Sequence, residues 1–389
     1  MLAFFAGIAE FNSNIVVSRR MIMKRIFIVM IILLFSAGLT AEAAPKDTAP
    51  VQYEKGTVVA VGALDASMQK EYFMGQGQMV SIQLTTGPEA GKVVDTFNYI
   101  TGKSMYEIRV NPGDKVIVAI SNDMQRTTYH VSDFDRFDYV YWLVGFFALA
   151  LIVFGGIVGV KSVFVIAFST LLIFQFFVGQ VIMAKFNITV LTLLISAVIA
   201  VVTQVTISGW TVKTLAAVLG TIGGVSIAAI LSVLSINLMH LTGLDSEEAM
   251  MLKAVLLPMV DFQGVLFAGM VFGALGAVMD VTISISSALY EVKEAQPAID
   301  AKGLFKTGMN VGRDIMGTMS NTLILAYTGS SLPLMLLIAS QKQVSMLKIL
   351  NLNMIVTEFA RALTGSIGLI CAIPLTAIIT AFLLRNRSE

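Results

Sequence analysis

The sequence predicts a membrane-embedded all-α bundle of about seven transmembrane helices, preceded by a small all-β domain of the OB-like barrel type. Three observations lead there. Hydrophobic residues make up 56% of the 389-residue chain and charged residues only 13%, against roughly 45–50% and ~25% in soluble domains. From Tyr139 onward, apolar runs recur at the length of about 20 residues that crosses a hydrocarbon core. Residues 53–135 instead break into short β-rich runs separated by turn residues.

The chain divides into an upstream extension with a signal peptide (1–44), an extracytoplasmic β-domain (45–137) and a helical domain (138–389). Lys24 and Arg25 precede the apolar run Ile26 to Leu39, and the small-residue stretch Ala41, Glu42, Ala43, Ala44 follows. That is the layout of a secretory signal, with an uncleaved anchor as the competing reading. Met21 or Met23 would begin a signal of ordinary length.

Within the β-rich region the runs GTVVAV, MVSIQL, KVVDTFNY, MYEIRV and KVIVAI are expected as five strands, with turns at Thr86-Gly87-Pro88 and Asn111-Pro112-Gly113-Asp114. A barrel of this size is a binding platform or a cap. It lacks the basic and aromatic surface pattern of a single-strand nucleic-acid binder, and a net charge of +1 argues against nucleic acid altogether.

Seven spans are expected at about 139–160, 163–184, 188–208, 214–239, 264–289, 318–340 and 364–384, each helical because a backbone in lipid must satisfy its own hydrogen bonds. With the β-domain outside, Lys161, Lys213, Lys293, Lys302, Lys306, Arg313, Arg385 and Arg387 fall on the cytoplasmic side, in keeping with the positive-inside rule. The C-terminus is then cytoplasmic. Ala254 to Phe262, with Pro258 and Asp261, is too short to span and is expected as a broken or re-entrant segment.

The span from Gly264 to Glu291 carries the strongest functional signal. At 100° per residue, Gly269, Gly273, Gly276, Asp280, Ser284, Ser287 and Glu291 fall within an arc of roughly 80°. A carboxylate at that depth costs at least ~2.5 kcal/mol, so Asp280 is expected to face a protein interior and to mark a pathway. Asp280, Ser284, Ser287 and Asn321 are the candidate ion-binding or pathway residues, and Glu291, Arg313 and Asp314 the candidate cytoplasmic gate. The bland readings are that Asp280 packs against serine hydroxyls, that Gly269, Gly273 and Gly276 serve close helix packing, and that Arg313 anchors a helix end. Glu358 and Arg361, three apart, are expected to pair locally.

Enzyme chemistry is disfavoured. There is no phosphate-binding G-x-x-x-x-G-K-[ST] loop and no H-E-x-x-H. The two histidines, His130 and His240, have no second nitrogen ligand near in sequence, and Ser366 has no histidine in the spans to activate it. An Asp261–Asp280 carboxylate dyad is the remaining enzymatic reading. No cofactor is expected, and whether a metal binds is left open. The lone Cys371 excludes an intrachain disulfide.

The runs GMNVGRDIMGTMSNTLILAYTGSSLP (308–333), GALGAVMDVTISISSALYE (273–291) and EFARALTGSIGLICAIPLTA (358–377) occur in that setting of spans and a preceding β-rich domain. Together they resemble the YibE/F-like membrane proteins. The resemblance implies a multi-pass protein of the bacterial cell membrane and gives architecture rather than an activity. The expected function is ion- or proton-coupled transport of a small ion or solute. The alternative is a membrane scaffold or accessory subunit whose β-domain binds a protein partner, with a homo-oligomer or another membrane protein as partner besides the bilayer.

Overall fold

A computed structural model describes residues 51–63, 77–100, 108–123, 126–340 and 345–385. The signal segment expected at 1–44 lies outside the described residues. The chain forms two compact units, one ending at Val153 and containing the β-rich region, the other running from Phe154 onward.

The first unit is a five-stranded antiparallel sheet of β1 (Gln52–Ala63), β2 (Gly77–Leu84), β3 (Val93–Tyr99), β4 (Lys115–Asp123) and β5 (Arg126–Phe134), in the order β3-β2-β1-β4-β5. Alternation sets its core. Val80, Ile82 and Leu84 of β2 point inward and pack with Val58, Val94, Val116, Val118 and Ile120, while Ser81 and Gln83 do not join that core. Irregularities between Val58 and Ala60 and between Ile117 and Val118 bend the sheet. The two edge strands come together, with Thr96 Oγ1 donating to the Tyr129 carbonyl. Lys55 reaches the buried Asp135 at 2.8 Å and Lys115 reaches Asp138 at 2.7 Å, tying β1 and β4 to the start of the first helix.

One expected strand is displaced. Of the run MYEIRV, residues 108–110 are described and lie outside any strand, whereas β5 forms from RTTYHVSDF. Side-chain amides hold 108–110 in place of a ladder. Gln78 Nε2 donates to the Val110 carbonyl (2.9 Å), Val110 N–H donates to Gln78 Oε1 (3.0 Å), and Asn98 Nδ2 donates to the Ile108 carbonyl (2.7 Å).

The helices are α1 (Phe137–Leu171), continued by a π-type turn (Leu172–Phe177) into α2 (Val178–Ile182), then α3 (Ile188–Ser208), α4 (Val212–Leu238), α5 (Glu247–Met251), α6 (Phe262–Ala295), α7 (Ala301–Ser330), α8 (Leu332–Ser340), α9 (Met346–Leu350) and α10 (Asn353–Arg385). Their starts follow capping chemistry. Asn187, Thr211, Asp261 and Asp300 each accept a backbone N–H of the first turn of α3, α4, α6 and α7. The stretch ahead of α6 is broken as expected, and Lys253 Nζ satisfies the carbonyls of Pro258 and Val260 at 2.8 and 3.1 Å.

Among the described residues five helical stretches are long and apolar enough to cross a membrane: Phe137–Ile182, Ile188–Ser208, Val212–Leu238, Phe262–Ala295 and Asn353–Arg385. A sixth arises if α7 and α8, bent by 66° at Ser331, count as one. Against the seven expected spans there are two differences. The first two fall on the single stretch Phe137–Ile182, which is interrupted at Gly156 (φ 54°, ψ −130°). The sixth is split at Ser331, two residues ahead of Pro333, whose ring and missing N–H cannot continue the hydrogen-bond ladder of α7.

In this second unit α10 packs on α4, α6 and α7, and α4 on α6. The closest approach is between α4 and α10. A Cβ on Gly224 would lie 2.6 Å from Ala372 Cβ and 3.1 Å from the Gly368 carbonyl, and one on Gly368 would lie 2.6 Å from Ala228 Cβ. Only glycine allows that spacing, the small-residue packing usual between membrane helices.

Candidate functional site

α6 and α7 form an antiparallel hairpin. Gly308 of α7 lies against Leu289 of α6, Gly312 against Ile285, and Tyr327 against Gly273. One side of the hairpin is covered by α10, where Gly308 meets Ala377, Gly312 meets Ile373 and Gly365 meets Ala274. The other side is open. Gly269, Gly273, Gly276, Asp280, Ser284 and Glu291 of α6 are exposed there, and Ser287 is half-buried.

The polar face of α7 is exposed as well: Asn310, Arg313, Asp314, Gly317, Thr318, Asn321 and Thr322. Arg313, Ser320 and Tyr327, seven residues apart, share the side of α7 that turns toward α6. Asp280 is seven residues from Gly273, and Ser320 is seven from Tyr327. On antiparallel helices that places Asp280 and Ser320 at one level. The Ser320 and Tyr327 hydroxyls are buried without a hydrogen-bond partner. The result is a half-open polar groove along an otherwise apolar hairpin.

The expectation that Asp280 faces the bundle interior is therefore not met within one chain. Among the described residues its carboxylate makes no hydrogen bond or ion pair. Ser284 Oγ donates to the Asp280 main-chain carbonyl (2.7 Å) rather than to the acid. Glu291, Arg313 and Asp314 likewise form no ion pair among the described residues, so the gate residues stand near one end of the groove without touching. Gly273 is a packing glycine, because a Cβ there would collide with the Tyr327 hydroxyl, whereas Gly269 and Gly276 face open space.

Asp261 caps α6, its Oδ1 accepting the Gln263 N–H at 3.1 Å. Nineteen residues of helix, about 28 Å, separate it from Asp280. The carboxylate dyad is excluded. Ser366 is buried in α10 and its hydroxyl contacts no hydrogen-bonding group. Among the described residues no three His, Cys, Asp or Glu side chains converge as metal ligands would.

Two clusters have no counterpart in the sequence reading. The first is neutral and fully buried. Gln204 Nε2 of α3 donates to Thr221 Oγ1 of α4 (2.6 Å), which shares a hydrogen bond with Thr282 Oγ1 of α6 (2.7 Å). A lone glutamine in the run from Ile188 to Ser208 was the available signal. The second is ionic. Arg361 Nη2 lies 3.8 Å from Glu358 Oε1, the local pair, and also 3.6 Å from Asp245 Oδ2 in the loop after α4. No local pattern connects Asp245 to Arg361.

A family model described as YibE/F-like protein matches residues 143–386. The chain belongs to the YibE/F-like family. The match takes in the α6–α7 groove, the Gln204 network and the Arg361 cluster, and it starts beyond the β-sheet. The matched region is thus the helical one. No curated protein and no solved structure matches the chain.

Proposed function

We propose that this YibE/F-like protein is a membrane transporter whose polar path runs along the α6–α7 groove. One observation carries the reading: Asp280 stands midway along an apolar helix with its carboxylate unpartnered and opening on the same side as Asn321. A protonatable group at such a position suits binding of a cation or a proton. Ser284, Ser287 and Asn321 supply neutral oxygen ligands, and Glu291, Arg313 and Asp314 control the cytoplasmic mouth.

A seven-pass topology fits the helices. Gly156 divides Phe137–Ile182 into halves of roughly 19 and 26 residues, each near the ~20 needed to cross. With the bent α7–α8 pair as one crossing, the β-domain and the C-terminus would lie on opposite sides, and the lysines and arginines of the connections support the β-domain outside the cell and the C-terminus in the cytoplasm. The strand order β3-β2-β1-β4-β5, with β3 meeting β5, supports an OB-type barrel. No catalytic role is proposed, because the Ser366 hydroxyl has no hydrogen-bond partner to activate it and Asp261 and Asp280 lie far apart.

One observation favours the scaffold reading. Among the described residues no charged side chain is fully buried in the helical unit, where the buried polar groups are threonines, serines and Gln204. A path for ions through the centre of the bundle has no charged group to serve it.

The deciding experiment is thermal unfolding of the purified protein in detergent against inorganic cations and small solutes at several pH values, beside Asp280→Asn. Ligand at 100 times its Kd stabilises the native state by about 2.7 kcal/mol. A pH-dependent shift that vanishes in Asp280→Asn supports the transport site. An equal shift in the variant removes Asp280 from it, and no shift with any solute turns the reading to the scaffold.

A further inference from the structure

The exposed face of α7 has an internal order. At 100° per residue, Asn310, Gly317 and Asn321 lie within about 40° of one another and form a seam, with Arg313 on one flank and Asp314 on the other. All five are exposed, and a Cβ on Gly317 would meet nothing within 4 Å. Among the described residues the Asn321 side chain makes no hydrogen bond. In a membrane, an asparagine and an aspartate at the depth of Asn321 and Asp280 are not left facing lipid.

We propose that a second copy of this chain covers the groove, packing α7 against α7 about a two-fold axis along the membrane normal. The charges commit the face to its own copy. A two-fold operation carries the left flank of one helix to face the right flank of the other. Arg313 of each chain then meets Asp314 of the other, and Asn321 meets Asn321 on the seam. Gly317 lets the backbones approach, as small residues do between membrane helices. The interface goes beyond the transport reading and does not need it, since it follows from covering polar groups whether or not anything passes.

The test is disulfide cross-linking of the full chain in native membrane vesicles, with Cys371→Ser as background and copper phenanthroline as oxidant. Gly317→Cys and Asn321→Cys are the seam positions. Leu234→Cys and Phe382→Cys, on exposed apolar faces of α4 and α10, are the controls. The expected result is a band at twice the mass of the uncross-linked chain from both seam positions and monomer from both controls. In the Asn321→Cys chain, adding Arg313→Asp lowers the cross-linked fraction several-fold, and adding Asp314→Arg to that restores it. Monomer at both seam positions, equal cross-linking at the controls, or an adduct of any other mass overturns the proposal, the last by identifying a different protein on this face.

Discussion

The Tyr327 hydroxyl occupies the space that a side chain on Gly273 would need, and this contact sets the spacing of the α6–α7 hairpin.

Gly273→Ala is accordingly expected to destabilise the helical unit by about 1–3 kcal/mol, the usual cost of overpacking. Gly269→Ala and Gly276→Ala, which face open space in the single chain, are expected to leave it unchanged in detergent-solubilised monomer. Adding Tyr327→Phe to Gly273→Ala should recover most of the loss, because it removes the atom in the way. Thermal unfolding of these four variants and of Tyr327→Phe alone measures this, and an additive double variant would show that the two residues do not share the space.

Thr221 joins three helices through its hydroxyl. Thr221→Val breaks the bonds to Gln204 and Thr282 and leaves the Gln204 amide without its acceptor. The expected loss is about 1–2 kcal/mol, the upper range for hydrogen bonds between membrane helices. Gln204→Leu combined with Thr221→Val should cost less than the sum of the two. A double-mutant cycle in chemical unfolding reads that coupling directly.

Arg361 stands between two carboxylates. Arg361→Leu leaves Asp245 and Glu358 facing each other unneutralised, whereas Asp245→Asn leaves the Arg361–Glu358 pair intact. The first is expected to cost about 1–2 kcal/mol and the second less than half of that, both well below a deeply buried pair because the three side chains are partly exposed. Equal losses would mean that the Asp245–Arg361 contact carries the whole effect and the Glu358 pair adds nothing.

In the β-domain, Tyr129 donates to Glu89 (2.6 Å) and lies 3.1 Å from the Lys92 amine. The Tyr129 hydrogen bond, and then Lys92, hold the Glu89 carboxyl below its ordinary value of 4.5. The Tyr129 contact, and then Glu89, push Lys92 above 10.5. Glu89 therefore adds stability that is present above pH 4.5 and lost as the pH falls through its lower folded value. Lys92 adds stability that is present below pH 10.5 and lost as the pH rises through its higher one. Tyr129→Phe should flatten both limbs. Hydrogen exchange of the β3 and β5 amides between pH 3 and pH 7 checks the acid limb.

The sequence is legible where one rule governs a segment. Strands β1 to β4 fall on or around four of the expected runs, because alternation alone decides them. β5 was not legible, since Thr127, Thr128, His130, Ser132 and Asp133 leave only Tyr129 and Val131 as inward signals between its ends. Its place was assigned to MYEIRV, whose described end is held by Gln78 and Asn98 side chains instead of a ladder. As a membrane span α7 is legible only from residue 318, and Leu304, Phe305, Met309 and Met316 ahead of it read as an interfacial amphipathic helix, whereas one continuous helix begins at Ala301. Its first half is too polar to resemble a span, and its helical character comes from packing Gly308 and Gly312 against α10. The small-residue face of α6 was legible from periodicity. Its openness to one side was not, because periodicity assigns residues to a face without saying what that face meets.

The meeting of β3 and β5 has a consequence for any protein that docks on the β-domain. The two outer strands of the sheet turn toward each other across Thr96 and Tyr129, and the Glu89–Tyr129–Lys92 cluster lies over the same joint. At that joint the Tyr129 carbonyl is already taken by Thr96, so a strand from another chain meets a crowded rim there, and a partner is expected to grip side chains on the flanks of the β-domain or its loops, a contact that single substitutions can map without disturbing the sheet.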